Sequence, residues 1–356
     1  MRLPESKIKA AIQHPEEEVR LTALRYFTDS LNNDASVMPL VIKAVETFGI
    51  DSAFRILRDA ERLPQTESTI DWLIDQLHRS DLDLASIDND NYRFAVALVL
   101  CDAEPSLIAH REPEIRKAPL FPRELDKWIS ETVLAASWNW EVAWKKFLEC
   151  ADKLSRKRKW SPTDHRRLHH LNGLLARHRD GEAQLLALLR REKHGLDPEL
   201  AEWIDSHVVK LAGLMRLDAA IPFLIERSHL AEDDIADECG DALGSIGTDA
   251  VVEAITSDWE CGDFNFRTIM CSALERIHTD QCAKACLEFL CDEQDGEVQL
   301  ELGHALLAHF EFDGVDLVQQ LVESGGDDLH PDERDLRSRL VAAATIMGVK
   351  FPEYEE

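Results

Sequence analysis

The chain has 356 residues, 45% of them apolar, and a formal net charge of −28 from 68 acidic and 40 basic side chains. The apolar share supports a large core and excludes a disordered chain. No stretch approaches the ~18 uncharged apolar residues that a membrane-crossing helix needs, and the acid excess disfavours nucleic acid and other polyanions as general partners.

The opening MRLPESKIKAAIQ has neither an apolar run nor a small-residue cleavage site, so a cytoplasmic protein without a secretory signal is expected. Apolar periodicity then predicts helices over 15–31, 35–48, 50–62 and 66–78. The polar stretch 81–91 reads as a loop. A helix over 91–101 holds the longest apolar run, the eight residues 94–101, which suits burial. Four prolines in 104–122 predict an irregular joint. Helices over 122–137 and 139–154 follow. In the second, Trp140, Trp144, Phe147, Ala151 and Leu154 fall on one face, extended by Trp128 and Trp138. Tryptophans at this spacing read as core rather than as an exposed aromatic platform.

The charge then reverses. Residues 153–180 carry nine basic against two acidic side chains, mostly within KLSRKRKWSPTDHRRLHHL (153–171). Ser161 fits an N-cap and Pro162 the first position of a helix over 162–179. Leu168, Leu171, Leu174 and Leu175 form its core stripe, while Arg166, His170 and Arg177 take another face. The candidate binding residues are therefore Arg156, Lys157, Arg158, Lys159, Trp160, Arg166, Arg167, His170 and Arg177. Converging cations of this kind bind phosphate. The competing reading is a solvated face, or a counter-charge for the protein's own acid.

His165 and His169 lie one helical turn apart, but a zinc site needs three or four convergent ligands, and no HExxH pattern occurs. There is no glycine-rich phosphate loop and no GxSxG elbow. No catalytic residue, no metal and no cofactor is expected. The eight cysteines contain no CxxC pair and are expected as reduced, buried, small apolar side chains.

Helices are predicted over 181–193, 197–215, 217–229, 231–246, 248–257, 264–277, 279–291, 296–310, 312–323 and 332–348. Here a repeat emerges. DALGSIGTDAVVEAI (241–255) aligns with SALERIHTDQCAKAC (272–286) at an offset of 31, pairing Leu243 with Leu274, Ile246 with Ile277, Thr248 with Thr279 and Asp249 with Asp280. LAGLMRLDAAIPFLI (211–225) joins at the same offset through Gly213 with Gly244 and Asp218 with Asp249. Each unit reads as two helices. Ile235, Cys239, Ala242, Leu243 and Ile246 mark one buried face, Gly247 ends that helix, and Thr248 or Asp249 caps the next. Neither helix buries its stripe alone, so the pairs must stack.

ALGSIGTDAVVEAI resembles HEAT repeats, particularly the short bacterial kind also found in phycobilisome lyase-like proteins. HPEEEVRLTALRYF (14–27), with Val19-Arg20 followed by Ala23, looks like the second helix of such a unit. The resemblance is best over 205–348, fair over 14–60 and poor over 90–200. It implies an all-α fold, an α–α superhelix of the HEAT-like α-solenoid type built from stacked antiparallel helix pairs. Three parts are expected: N-terminal pairs over 1–104, divergent pairs with the tryptophans and the basic turn over 105–196, and regular acidic repeats over 197–356. HEAT-like deoxyhypusine hydroxylases bind iron through His-Glu dipeptides, and this sequence has none, which argues against that activity.

The expected function is a non-enzymatic protein–protein interaction scaffold. Residues 181–356 hold 39 acidic against 13 basic side chains and suit a basic protein partner. The alternatives are nucleic-acid or phosphate-ligand binding through 153–179, and a lyase- or chaperone-like role as in phycobilisome lyase HEAT proteins. Neither the partner's identity nor an oligomeric state is encoded in these patterns.

Overall fold

A computed structural model describes residues 1–50, 53–82, 85–157, 159, 161–190, 196–230, 233–324 and 331–350. The fold is all-α, a solenoid of stacked helix pairs, and no β-strand occurs among the described residues. No described helix is long and apolar enough to cross a membrane. The chain forms two compact units, one of Met1–Lys7, Ala151–Lys157 and Ala176–Glu356, the other of Ile8–Cys150 and Arg158–Leu175.

The larger unit is a two-layer ladder. One layer stacks Asp205–Leu214, Asp233–Ile246, Phe264–Glu275, Gly296–Ala308 and Pro331–Met347 in succession. The other stacks Ile221–Leu230, Asp249–Asp258 and Asp280–Asp292, with Phe312–Ser324 closing the last pair. The repeat residues supply the core: Leu243, Ile246, Val251, Val252, Ile255, Leu274 and Ile277 are all buried. Each such aliphatic contributes about 1.5–3 kcal/mol, so the core, not helix propensity, holds the ladder.

Gly247 ends its helix at φ +68, the left-handed conformation that glycine adopts without a Cβ clash. Thr279 caps the next repeat, its hydroxyl accepting from Cys282 N at 3.1 Å. Thr248 occupies the same cap position but makes no such bond. It donates instead to Asp218 Oδ1 of the preceding pair at 3.1 Å. The repeated Thr-Asp thus caps in one unit and ties two units together in another.

The smaller unit follows the same plan. Glu17–Thr28, Ala53–Asp59, Ile87–Asp102, Asp126–Ala135 and Pro162–Leu175 stack in one layer, and Val37–Phe48, Glu67–Leu77 and Glu112–Lys117 in the other. Arg20 is buried, donating to the carbonyls of His14 (2.8 Å) and Pro15 (2.7 Å) and lying over Phe48. Trp128, Trp140, Trp144 and Phe147 are buried as the periodicity requires and Trp138 is half-buried, while Ala151 and Leu154, on the same helix face, are buried but belong to the larger unit. Ser161 and Asp164 form a reciprocal cap before Pro162.

Four expectations change. Glu5–Ala11 is helical, a short element that the periodicity missed. The stretch 81–91 is not loop throughout, because a helix begins at Ile87 with Asp88 and Asp90 in its first turn, where acid offsets the exposed N–H groups. The joint 104–122 contains the short helices Pro105–Ile108 and Glu112–Lys117, each with proline in its first turn. The helix expected over 197–215 is two, Pro198–Trp203 and Asp205–Leu214.

Candidate functional site

The basic segment does not present one exposed face. In the larger unit Arg156 is exposed and bonds Asp152 Oδ1 of its own helix at 2.6 Å, Lys157 is exposed, and Arg177 is exposed. In the smaller unit Lys159 and Arg166 are exposed, but Arg167 is half-buried and reaches Glu131 Oε1 at 2.7 Å. His170, expected away from the core, is buried. Arg158 and Trp160 lie outside the described residues.

His170 belongs to a polar cluster that the sequence pattern missed. Its Nδ1 donates to Asp102 Oδ1 at 3.0 Å, since a carboxylate can only accept. Its ring stacks on Trp128 with centroids 5.4 Å apart. Thr132 Oγ1 lies 3.4 Å from Nε2 and donates to the Cys101 carbonyl at 2.6 Å. Burial and the adjacent Asp102 carboxylate push the Glu61 carboxyl up to about 8. Burial acts most strongly and would raise Asp102, but the hydrogen bond from His170, that ring's charge, the Glu61 hydrogen bond and Arg62 together outweigh it and hold Asp102 below the ordinary carboxylate range. Near neutral pH this pair keeps one proton, on Glu61. The cluster ties together neighbouring helices of one layer, Ile87–Asp102, Asp126–Ala135 and Pro162–Leu175, with the turn that follows Ala53–Asp59.

A second cluster lies in the larger unit. Cys282 and Cys286, one turn apart on Asp280–Asp292, meet His309, which follows Gly296–Ala308. All three are buried, and their ligand atoms lie within 4.8 Å of one another. His309 Nε2 stands 3.6 Å from Cys282 Sγ and 3.9 Å from Cys286 Sγ. Its Nδ1 stands 3.4 Å from His278 Nδ1. The hydrogen bond with Cys282, and then the imidazole of His309, hold the Cys286 thiol at about 6. Burial pushes Cys282 in the opposite direction. The expectation that every cysteine is buried fails at Cys261 and Cys291, which sit at helix ends and are exposed. His165 is exposed and His169 half-buried.

The third feature is a cleft of about 620 Å³ in the larger unit. Phe264, Asp295, Gly296, Glu297, Gln299, Leu300, Leu321 and Glu333 line it, so three carboxylates and an aromatic face it, and the described lining residues include no cation. The N-terminus of Gly296–Ala308 opens there, and Asp295 caps it by accepting from the N–H groups of Glu297 and Val298. A helix N-terminus carries about half a positive charge, so three carboxylates leave the cleft negative. Five of the unit's cations are paired with its own acid: Arg227 with Asp205, Arg267 with Glu293, Arg276 with Asp241, Lys284 with Glu288 and Arg339 with Glu275.

No protein-family model and no curated protein matches the chain. Among solved structures, an engineered protein is similar at 14% identity and a TM-score of 0.31, covering 98% of this chain and all of its own. Human deoxyhypusine hydroxylase in complex with glycerol is similar at 13% identity and a TM-score of 0.29, covering 97% of this chain and 96% of its own. At these scores neither likeness carries an argument about activity or site.

Proposed function

We propose that the chain is a non-enzymatic scaffold of HEAT type whose acidic repeats hold a basic segment of a partner protein. The observation that carries this reading is the cleft lined by Phe264, Asp295, Glu297 and Glu333. A lysine or arginine entering it meets three carboxylates and a phenylalanine ring, whose π face attracts a cation. The surplus of acid over 181–356 extends that field beyond the cleft and speeds encounter with a basic partner. Arg167 and His170 turn toward Glu131 and Asp102, which weakens the alternative reading of 153–179 as a phosphate or nucleic-acid site.

The test is fluorescence anisotropy of the full chain with three labelled probes: an Arg/Lys-rich peptide, an acidic peptide and a random-sequence oligonucleotide. The basic peptide binds, releases as salt rises, and loses about tenfold affinity in the double reversal Glu297→Lys/Glu333→Lys. Binding of the oligonucleotide in place of the peptide, lost on charge reversal at Arg156, Lys157 and Lys159, would sink the scaffold reading in favour of the basic segment.

A further inference from the structure

The cluster of Cys282, Cys286 and His309 has no part in the scaffold reading, and its geometry is more specific than packing requires. A tetrahedral zinc ion with Zn–S near 2.3 Å and Zn–N near 2.0 Å separates its ligand atoms by about 3.6 Å for sulfur to nitrogen. The two sulfur-to-Nε2 distances here are 3.6 and 3.9 Å. Both sulfur-to-nitrogen separations therefore already match such an ion, and all three ligand atoms lie within 4.8 Å of one another.

The surroundings fit a ligand set. A metal-bound imidazole commonly donates its second ring N–H to a neighbour, which fixes the ring's orientation. With His309 Nε2 on the metal, its Nδ1–H points at His278 Nδ1, 3.4 Å away. The backbone of both histidines is pinned as well, because the Arg2 guanidinium donates to the carbonyls of His278 (3.0 Å) and His309 (3.4 Å). Two sulfurs and one imidazole are a soft set that favours zinc or cuprous ion over magnesium or calcium.

We propose that Cys282, Cys286 and His309 form a three-ligand site for a thiophilic d10 metal ion, Zn²⁺ or Cu⁺. For Zn²⁺ the fourth corner is left for an added ligand. For Cu⁺ three ligands suffice. Either ion bridges Asp280–Asp292 to the residue that follows Gly296–Ala308, so it locks adjacent pairs of the ladder together. Because binding requires the folded site, the ion also raises the unit's melting temperature.

The test is a titration of the reduced full chain with Co²⁺, as the spectroscopic stand-in for Zn²⁺, and separately with Cu⁺ against a chromogenic chelator. A thiolate-to-cobalt charge-transfer band with tetrahedral d–d bands, saturating at one ion per chain, supports the zinc assignment. Stoichiometric Cu⁺ uptake without the cobalt bands supports the copper assignment. In both arms Cys286→Ser abolishes binding and Cys261→Ser, at an exposed thiol, leaves it intact. Failure of the fully reduced wild type to take up either ion overturns the proposal. Should the serine variants not fold, X-ray absorption at the metal edge of the loaded wild type decides. Two sulfur scatterers with imidazole support the site, and a shell of oxygen and nitrogen alone overturns it.

Discussion

Gly213 lies against the backbone of Ala242 in the next repeat: a Cβ on Gly213 would stand 2.6 Å from Ala242 Cα. The contact recurs one repeat on, where a Cβ on Gly244 would meet the Ala273 carbonyl at 3.2 Å. Glycine here sets how closely Asp205–Leu214 and Asp233–Ile246 approach. Gly213→Ala must push two helix backbones apart, and overpacking of this kind costs about 1–3 kcal/mol. Gly173 offers the contrast, since nothing lies within 4 Å of its added Cβ and it sits inside Pro162–Leu175. Gly173→Ala is therefore expected to stabilise by about 0.5–1 kcal/mol, because alanine loses less backbone freedom in a helix. Thermal melts of the two variants should move in opposite directions, and a shared direction would refute the packing argument.

That contact explains how much was legible. The 31-residue repeat carries its own register, so Gly247 as a helix end and Leu243 and Leu274 as core could be read from spacing alone. The helix over 91–101 was legible too, but its start at Ile87 was not, because its first turn is polar and its apolar face starts only with Tyr92. The two polar clusters were hidden for another reason. Glu61 lies in a turn, Asp102 and His170 on two different helices, and His309 stands 27 residues from Cys282 and 23 from Cys286. No local periodicity joins such residues. Only the stacking of layers does. The signal available was slight: an acid, Asp102, directly after a run of buried apolar residues, and two cysteines one turn apart.

The Glu61–Asp102 pair predicts how stability depends on pH. Glu61 keeps its proton to about pH 8 in the folded chain, whereas its ordinary value is 4.5. Between those values the folded state binds more protons than the unfolded state, so stability falls as pH rises through that window. Asp102, held low, acts in the opposite sense and loses its contribution only as pH drops below the ordinary carboxylate range. Glu61→Gln should flatten the decline between pH 4.5 and 8 while leaving the acid limb in place. Urea midpoints measured across pH decide this, and parallel curves for wild type and variant would exclude a proton held at Glu61.

The N-terminal residues are fastened to the repeat that holds the thiol–imidazole cluster. Leu3 N donates to Phe310 O at 3.0 Å, and Arg2 bonds the His278 and His309 carbonyls together with Asp280 Oδ1 at 3.1 Å. Charged hydrogen bonds of this kind are worth about 1.5–3 kcal/mol. Arg2→Ala should destabilise the larger unit by roughly that amount, and hydrogen exchange at the Leu3 amide should accelerate. Arg2→Lys keeps one donor direction and should fall between. Unchanged protection at Leu3 in Arg2→Ala would show that the guanidinium does not hold this segment.

The carboxylate of Glu293 shapes the acidic cleft without lining it. Its oxygens receive Arg267 Nη1 at 2.9 and 3.1 Å, and Oε1 also accepts from the amides of Gln294 (2.9 Å) and Asp295 (3.0 Å). The turn that presents Asp295 and Glu297 to the cleft is thus wrapped around one buried carboxylate. Glu293→Ala strands Arg267 and two amides, at a cost of about 3 kcal/mol. Glu293→Gln retains an acceptor for the amides and should lose less. If basic segments bind in this cleft, Glu293→Ala should weaken the Arg/Lys-rich peptide several-fold under conditions where the chain is still folded, although the net charge of the surface becomes only one unit less negative. Glu288→Ala removes the same charge from an exposed position, where it pairs with Lys284, and it should leave affinity nearly unchanged. Equal losses in the two variants would mean that the peptide responds to total charge rather than to the cleft.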